Sequence, residues 1–381
     1  MATPIPAPGG ARLGPPDRAE AQACLDAVLT AIDPGNGPTE LQQLLVEAAF
    51  ASMTGHDVTR TAGASVDPDD LAAVLADRDA AFRTRILQMM ILGALVLRPL
   101  PTTVADRVGR YAEELSVDDG MLAVARRFAS GQLGLAAFDF QRNGYTADWD
   151  PDRASTLHAS TELHDAWQQS VADPALAGQW AAFERLPGGT LGRRMWEFYR
   201  ARGFVFPGLP GSAPPLLAQH DFVHVLADYG TRVESELEVF AFIARANDDP
   251  KGFSLLAMVV SLFETGYLAT GAGLFESFPG QLSQDGMAVR LADALRRGAL
   301  SHGPGGQPDV DLLAVDWFAL ADRPVDELRS AFAVVAKSEA AEAAGSVGPW
   351  EPGGISPYQW TSAQERAASL DEPYDSYGAR P

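Results

Sequence analysis

The chain has 381 residues, is 46% apolar and carries a formal net charge of −21. That charge, with no long run of basic residues, excludes nucleic acid as a partner, because binding there needs clustered positive charge to displace phosphate counterions. A single cysteine, Cys24, rules out an internal disulfide and suits a reducing compartment; it reads as a small core residue within a helix.

In chain order, residues 1–16 are rich in proline and glycine and are expected to be disordered. They lack the charged-then-apolar pattern of a signal peptide. Apolar residues then recur at helical period, with alanine and leucine filling the windows. The spacing predicts helices near 17–32, 38–54, 68–98 with a break, 102–115 and 118–138, then 159–183, 189–202, 215–229 and 232–247, and finally 252–274, 285–299 and 324–337. Stop signals separate them at Pro99-Leu-Pro101, Asn143-Gly144, Pro187-Gly188-Gly189 and Pro207 through Pro215. No alternating run demands a sheet. The predicted fold class is all-α, a multi-helix bundle. A boundary near 143–158 divides an N-terminal helical domain, 17–150, from a second one, 155–338. Asp139 reads as a local partner of Arg142, three residues on.

The longest uncharged apolar stretches, Phe253 to Phe263 and Leu87 to Leu97, fall short of the ~18 residues a spanning helix needs and read as buried helices. A cytoplasmic protein without a transmembrane segment is expected. Arg193, Arg194, Arg200 and Arg202 form a local basic patch that reads as a solvated helix face or as a contact for anionic lipid. Residues 340–381 carry Trp350, Tyr358, Trp360, Tyr374 and Tyr377 among Ala, Gly, Pro and Ser, and a disordered tail is expected.

The chemistry concentrates at His220-Asp221-Phe222-Val223-His224, followed after eleven residues by Glu236. At about 100° per helical residue, His224 lies ~40° and Asp221 ~100° round from His220, so all three share one sector. Glu236 lies ~120° from His224 on a continuous helix and misses that sector. A break at Asp228-Tyr229-Gly230-Thr231 resolves this: Gly230 can take the left-handed position that ends a helix, and Thr231 can cap the next. The resulting hairpin offers two nitrogens and up to two carboxylates, a set suited to zinc or another divalent first-row metal. The same residues also admit a plainer arrangement. The two rings can be core histidines, Asp221 a helix cap, and Glu236 one of three exposed acids with Glu234 and Glu238. Glu264 ends an uncharged stretch; in apolar surroundings its carboxyl would have a raised pKa and could act as a catalytic acid or base. Its plainer role is to point outward or pair with an arginine.

The motif His220-Asp221-x-x-His224-(eleven residues)-Glu236 resembles the zinc motif of the fourth coenzyme-Q biosynthesis protein, the Coq-four family. Leu186-Pro-Gly-Gly-Thr-Leu-Gly192, His224-Val-Leu-Ala-Asp-Tyr-Gly-Thr231, Gly298-Ala-Leu, Asp311-Leu-Leu-Ala-Val-Asp-Trp317 and Pro324-Val-Asp-Glu-Leu-Arg329 resemble its flanking elements, so the likeness spans about 180–337. Ser235 stands where that family usually has glycine, and Ala227-Asp228 replaces its Thr-Gly. Residues 38–142 resemble a TerB-like bundle of the tellurite-resistance type. The first resemblance implies zinc held by His220, Asp221, His224 and Glu236. It also implies a role in ubiquinone biosynthesis at a membrane surface, with oxidative removal of the C1 carboxyl from a prenylated hydroxybenzoate-like substrate, within a possible biosynthetic complex. The alternative is a non-catalytic lipid-binding or scaffold protein with a structural metal.

Overall fold

The computed structural model describes residues 16–97, 99–118, 173–212, 215–246, 284–307 and 310–381, with a few isolated positions between them. The described residues are all-α: they hold helices, turns and isolated bridges, and no strand. No helix among them is long and apolar enough to cross a membrane. The expected boundary at 143–158, the Asp139–Arg142 pair and Glu264 lie outside the described residues.

The first group of helices follows from its caps. Asp17 accepts a hydrogen bond from Glu20 N and opens α1, Arg18–Ile32. Thr39 and Gln42 close a reciprocal capping box at the start of α2, Glu40–Thr54. Asp67 followed by Pro68 starts α3, Pro68–Val74, and Asp79 starts α4, Ala80–Leu95. The break expected within 68–98 is thus the gap between α3 and α4. Pro101 precedes α5, Thr102–Glu114. Gln42 is buried, and its amide donates to Ile32 O at 2.9 Å and Gly93 O at 2.8 Å, so one side chain ties α1, α2 and α4 together.

The second group contains α6, Pro174–Ala182; α7, Leu191–Arg202; α8, Pro215–Ala227; and α9, Val233–Ala246. It continues with α10, Met287–Leu300; α11, Val325–Ala331; α12, Glu339–Ala343; and α13, Pro357–Ser369. The helix expected over 324–337 is shorter than its apolar pattern, because Ala333 turns with φ 52. Trp180 is buried at the centre of an aromatic cluster, 5.3 Å from Tyr199 and Phe318 and 5.4 Å from Phe222 between ring centroids. The start of α7 pairs with the start of α11: Gly192 N donates to Ala321 O at 2.8 Å, and Val325 N to Gly189 O at 3.0 Å.

Helix α10 packs against both α9 and α2. Its approach to α9 is close, since a Cβ on Gly298 would lie 2.4 Å from Phe242 O. Arg245 on α9 donates to Ser52 O of α2 at 2.7 Å.

The expected disorder over 340–381 is corrected. This segment forms α12 and α13, the latter opened by a Ser356/Gln359 capping box. Trp350 packs edge-on to Phe198, Arg194 lies over the Trp350 ring, and Tyr374 OH donates to Ala201 O at 2.9 Å. The composition lacks an aliphatic stripe. Scattered aromatic rings and backbone carbonyls do the anchoring instead, and those leave no period in a sequence.

Candidate metal centre

Helix α8 carries His220, Asp221 and His224, and α9 carries Glu236. The expected break between the helices is present, with one correction to its parts. Asp228 takes the left-handed turn with φ 63, and Gly230 does not. Glycine is needed at 230 for a different reason: a Cβ there would sit 2.8 Å from Gly354 Cα. Thr231 lies too early to cap α9. Its hydroxyl donates to Gln359 Oε1 at 2.7 Å and accepts from Arg202 Nε at 2.8 Å.

The bend folds Glu236 back onto the histidine face. His220 Nε2 and His224 Nε2 are 3.1 Å apart, and Glu236 Oε2 lies 3.1 Å from the first and 3.3 Å from the second. His220, Asp221 and His224 form a looser group whose ligand atoms all lie within 4.8 Å of one another. All four residues are buried, with exposures of 4% for His220, 5% for Asp221, 0% for His224 and 3% for Glu236. The plainer arrangement with three exposed acids therefore fails: Glu236 is buried and Glu234 is half-buried. Glu238 is also buried, and it turns away to pair with Arg290 at 2.6 Å.

This cluster can hold a metal ion. A tetrahedral shell with bonds of about 2.0–2.1 Å sets its ligand atoms about 3.3 Å apart, close to the spacing of the two Nε2 atoms and the Glu236 oxygen. The tautomer of His224 also fits. Its Nδ1 lies 2.7 Å from Gly230 O, and a carbonyl can only accept, so Nδ1 carries the proton. In the neutral ring the Nε2 lone pair then points into the cluster, as ligation requires.

The surroundings are apolar and aromatic. Phe240 stacks on His220 at 5.1 Å, and Phe198 lies 5.6 Å from His224. Burial pushes the Glu236 carboxyl up, but the nearby His224 charge and hydrogen bonds from both rings outweigh it and hold the group down to about 2. Asp221 moves the other way: burial raises it, and the two histidines and Tyr199 only partly offset that. Tyr199 OH donates to Asp221 Oδ2 at 2.6 Å, while Asp221 Oδ1 lies 3.6 Å from His220 Nδ1. Burial first, then the Asp221 charge, raises the Tyr199 phenol, so its proton stays on the tyrosine.

Sequence spacing points to the four candidate ligands and misses their supports. Tyr199, Phe198, Phe240 and the Gly230 carbonyl reach the site through helix packing, which no local pattern encodes. Arg202 was grouped with a basic patch, yet it is fully buried. Its guanidinium donates to Pro349 O at 2.8 Å and Gly354 O at 2.9 Å. The rest of that patch is also committed: Arg193 and Arg194 pair with Glu197, and Arg200 with Glu372.

The fold and site define an all-α chain with a buried His-Asp-His cluster able to hold a metal ion. No protein-family model and no curated protein matches it. Among solved structures, a crystal structure from Nostoc punctiforme PCC 73102, provisionally named a ubiquinone biosynthesis protein, is similar at 21% identity. The match covers 57% of this chain and 98% of that one, with a TM-score of 0.33, and at that level it carries no argument about this chain. These comparisons establish neither the Coq-four nor the TerB-like resemblance.

Proposed function

We propose that the chain is a zinc-binding enzyme of quinone-type biosynthesis that removes the ring carboxyl from an aromatic, prenylated hydroxybenzoate-like acid. The observation that supports the metal half is the triangle of His220 Nε2, His224 Nε2 and Glu236 Oε2, with the His224 tautomer set by Gly230 O. The quinone half rests on the likeness of this motif to that of the Coq-four family.

In this reading His220, His224 and Glu236 would hold the ion, and Asp221, the fourth candidate ligand, would stay withdrawn on Tyr199 and leave a position for the substrate. A divalent ion bound there would supply positive charge that stabilises negative charge developing on the ring. Phe198 and Phe240 keep water from the histidines. Tyr199 holds the Asp221 carboxylate in one orientation. The carboxyl leaves as carbon dioxide when its bond to the ring breaks, and a proton takes its place on the ring carbon. Glu264 is the proposed donor of that proton. Contact with a membrane surface, where such a substrate would reside, belongs to the same proposal.

The burial of all four residues favours a second reading, in which a closed four-ligand ion only pins α8 to α9. Two measurements separate them. Purified protein should carry near-stoichiometric zinc that is lost in the His220→Ala/His224→Ala variant. Incubation with a prenylated hydroxybenzoate should release carbon dioxide from the zinc-loaded protein and not from that variant. Zinc without product supports the structural ion, and the absence of zinc overturns both.

A further inference from the structure

Tyr199 has two faces. Its hydroxyl serves Asp221, and its ring stacks on Phe206 with centroids 5.3 Å apart and planes 6° from parallel. That stacked pair forms one wall of a cavity of about 190 Å³ between α7, the following loop, α13 and residues 370–377. Tyr374 and Tyr377 line the same space, and the exposed side chains of Leu209 and Leu370 also border it.

Size and walls narrow the ligand. An apolar cavity of about 150 Å³ accepts a benzene ring, so this one has room for a single ring with one small substituent. Aromatic walls favour a planar ring, which can stack or meet them edge-on. One guanidinium at the cavity is uncommitted: Arg366 lines it, and among the described residues its side chain has no hydrogen-bond or ion-pair partner. Arg200, the other arginine there, is taken by Glu372. Asp375 also lines the cavity and accepts from Tyr377 N at 2.8 Å, a neutral donor that does not cancel a carboxylate's charge, so the anionic group belongs on Arg366 and not beside Asp375.

We propose that this cavity is a binding site for a small single-ring aromatic anion, with the ring against the Tyr199–Phe206 wall and the anionic group on Arg366. It shares Tyr199 with the candidate metal centre and contains none of the candidate ligands. It therefore goes beyond the proposed function and does not rest on it.

The test is calorimetric titration of the full chain with benzoate, benzyl alcohol and cyclohexanecarboxylate, each with and without EDTA. Benzoate should bind saturably at one site, with the neutral alcohol and the non-aromatic acid each about tenfold weaker. Arg366→Gln should erase the preference for benzoate over the alcohol. Ala367→Phe, which adds a ring at the cavity wall, should abolish binding; if its circular dichroism shows misfolding, Leu370→Trp at the border replaces it. EDTA should change none of this. The proposal is overturned by absent benzoate binding, by equal affinity for all three probes, or by binding that survives the filled cavity. Loss of benzoate binding in EDTA also overturns it, and would place the acid on the metal instead.

Discussion

Replacing Arg202 with methionine tests whether the C-terminal segment holds the metal centre in shape. Arg202 Nε donates to Thr231 Oγ1, and its Nη2 to Pro349 O and Gly354 O, at 2.8–2.9 Å. Gly354 O and Val347 O in turn accept from Thr231 N and Gly230 N, each at 3.0 Å. The clamp therefore fixes the corner whose Gly230 carbonyl orients His224. Methionine keeps the apolar stem and strands the Pro349 carbonyl at a cost of about 1–3 kcal/mol, while Gly354 O keeps Thr231 N and the Thr231 hydroxyl keeps Gln359. It also removes a penalty, since burial holds the Arg202 guanidinium down to about 9. The net expectation is a loss of about 1–2 kcal/mol. Zinc affinity should fall about tenfold although no ligand is changed, as when an outer partner of a ligating histidine is lost. Urea denaturation of EDTA-treated protein reads the first effect, and competition with a chromophoric chelator reads the second. Lower stability with unchanged zinc affinity would show that His224 is oriented without the clamp and would refute the coupling.

Further outcomes follow from the same geometry. Glu236, held at about 2 against an ordinary 4.5, stabilises the metal-free fold fully above pH 4.5 and stops doing so as the pH falls through 2. Acid unfolding followed by circular dichroism should lose on the order of 3 kcal/mol across that window, and Glu236→Gln should flatten the curve. Tyr199→Phe releases the Asp221 carboxylate, so zinc should bind several-fold more tightly while turnover falls; weaker zinc binding would contradict the restraining role. Trp180→Ala should cost about 3–5 kcal/mol in urea denaturation, and a loss under ~1 kcal/mol would show that the aromatic cluster around Trp180 is not core.

How much could be read in advance depended on how local each determinant is. Asp17, Thr39, Asp67 and Asp79 act within one turn of themselves, so the N-terminal helices are legible from caps and period. The break between α8 and α9 is legible because His220 and Glu236 cannot share a face of one straight helix. The residue that makes the turn is less so: both Asp228 and Gly230 tolerate the left-handed region. The choice is made by Gly354, more than a hundred residues away, whose backbone occupies the space beside Gly230. The same distance hides Arg202. An arginine among three others on a helix looks like a charged surface, and the Thr231 hydroxyl and the carbonyls of 349 and 354 that receive its guanidinium lie far along the chain. The order of the tail is illegible for the matching reason, because its docking partners are carbonyls and rings on α7.

Whether an ion here is open or closed turns on Asp221. The three atoms that converge most tightly, two imidazole nitrogens and the Glu236 oxygen, match in number and kind the two-histidine, one-glutamate set of catalytic zinc sites, which leave a fourth position free. Asp221 is near enough to fill that position, yet one of its oxygens already accepts from Tyr199 at 2.6 Å. That single hydrogen bond thus opposes closure of the shell. The four buried residues then need not mean a sealed structural site, because what burial excludes is water, and a decarboxylation that generates charge on a ring gains from a dry site with one coordination position left for the substrate.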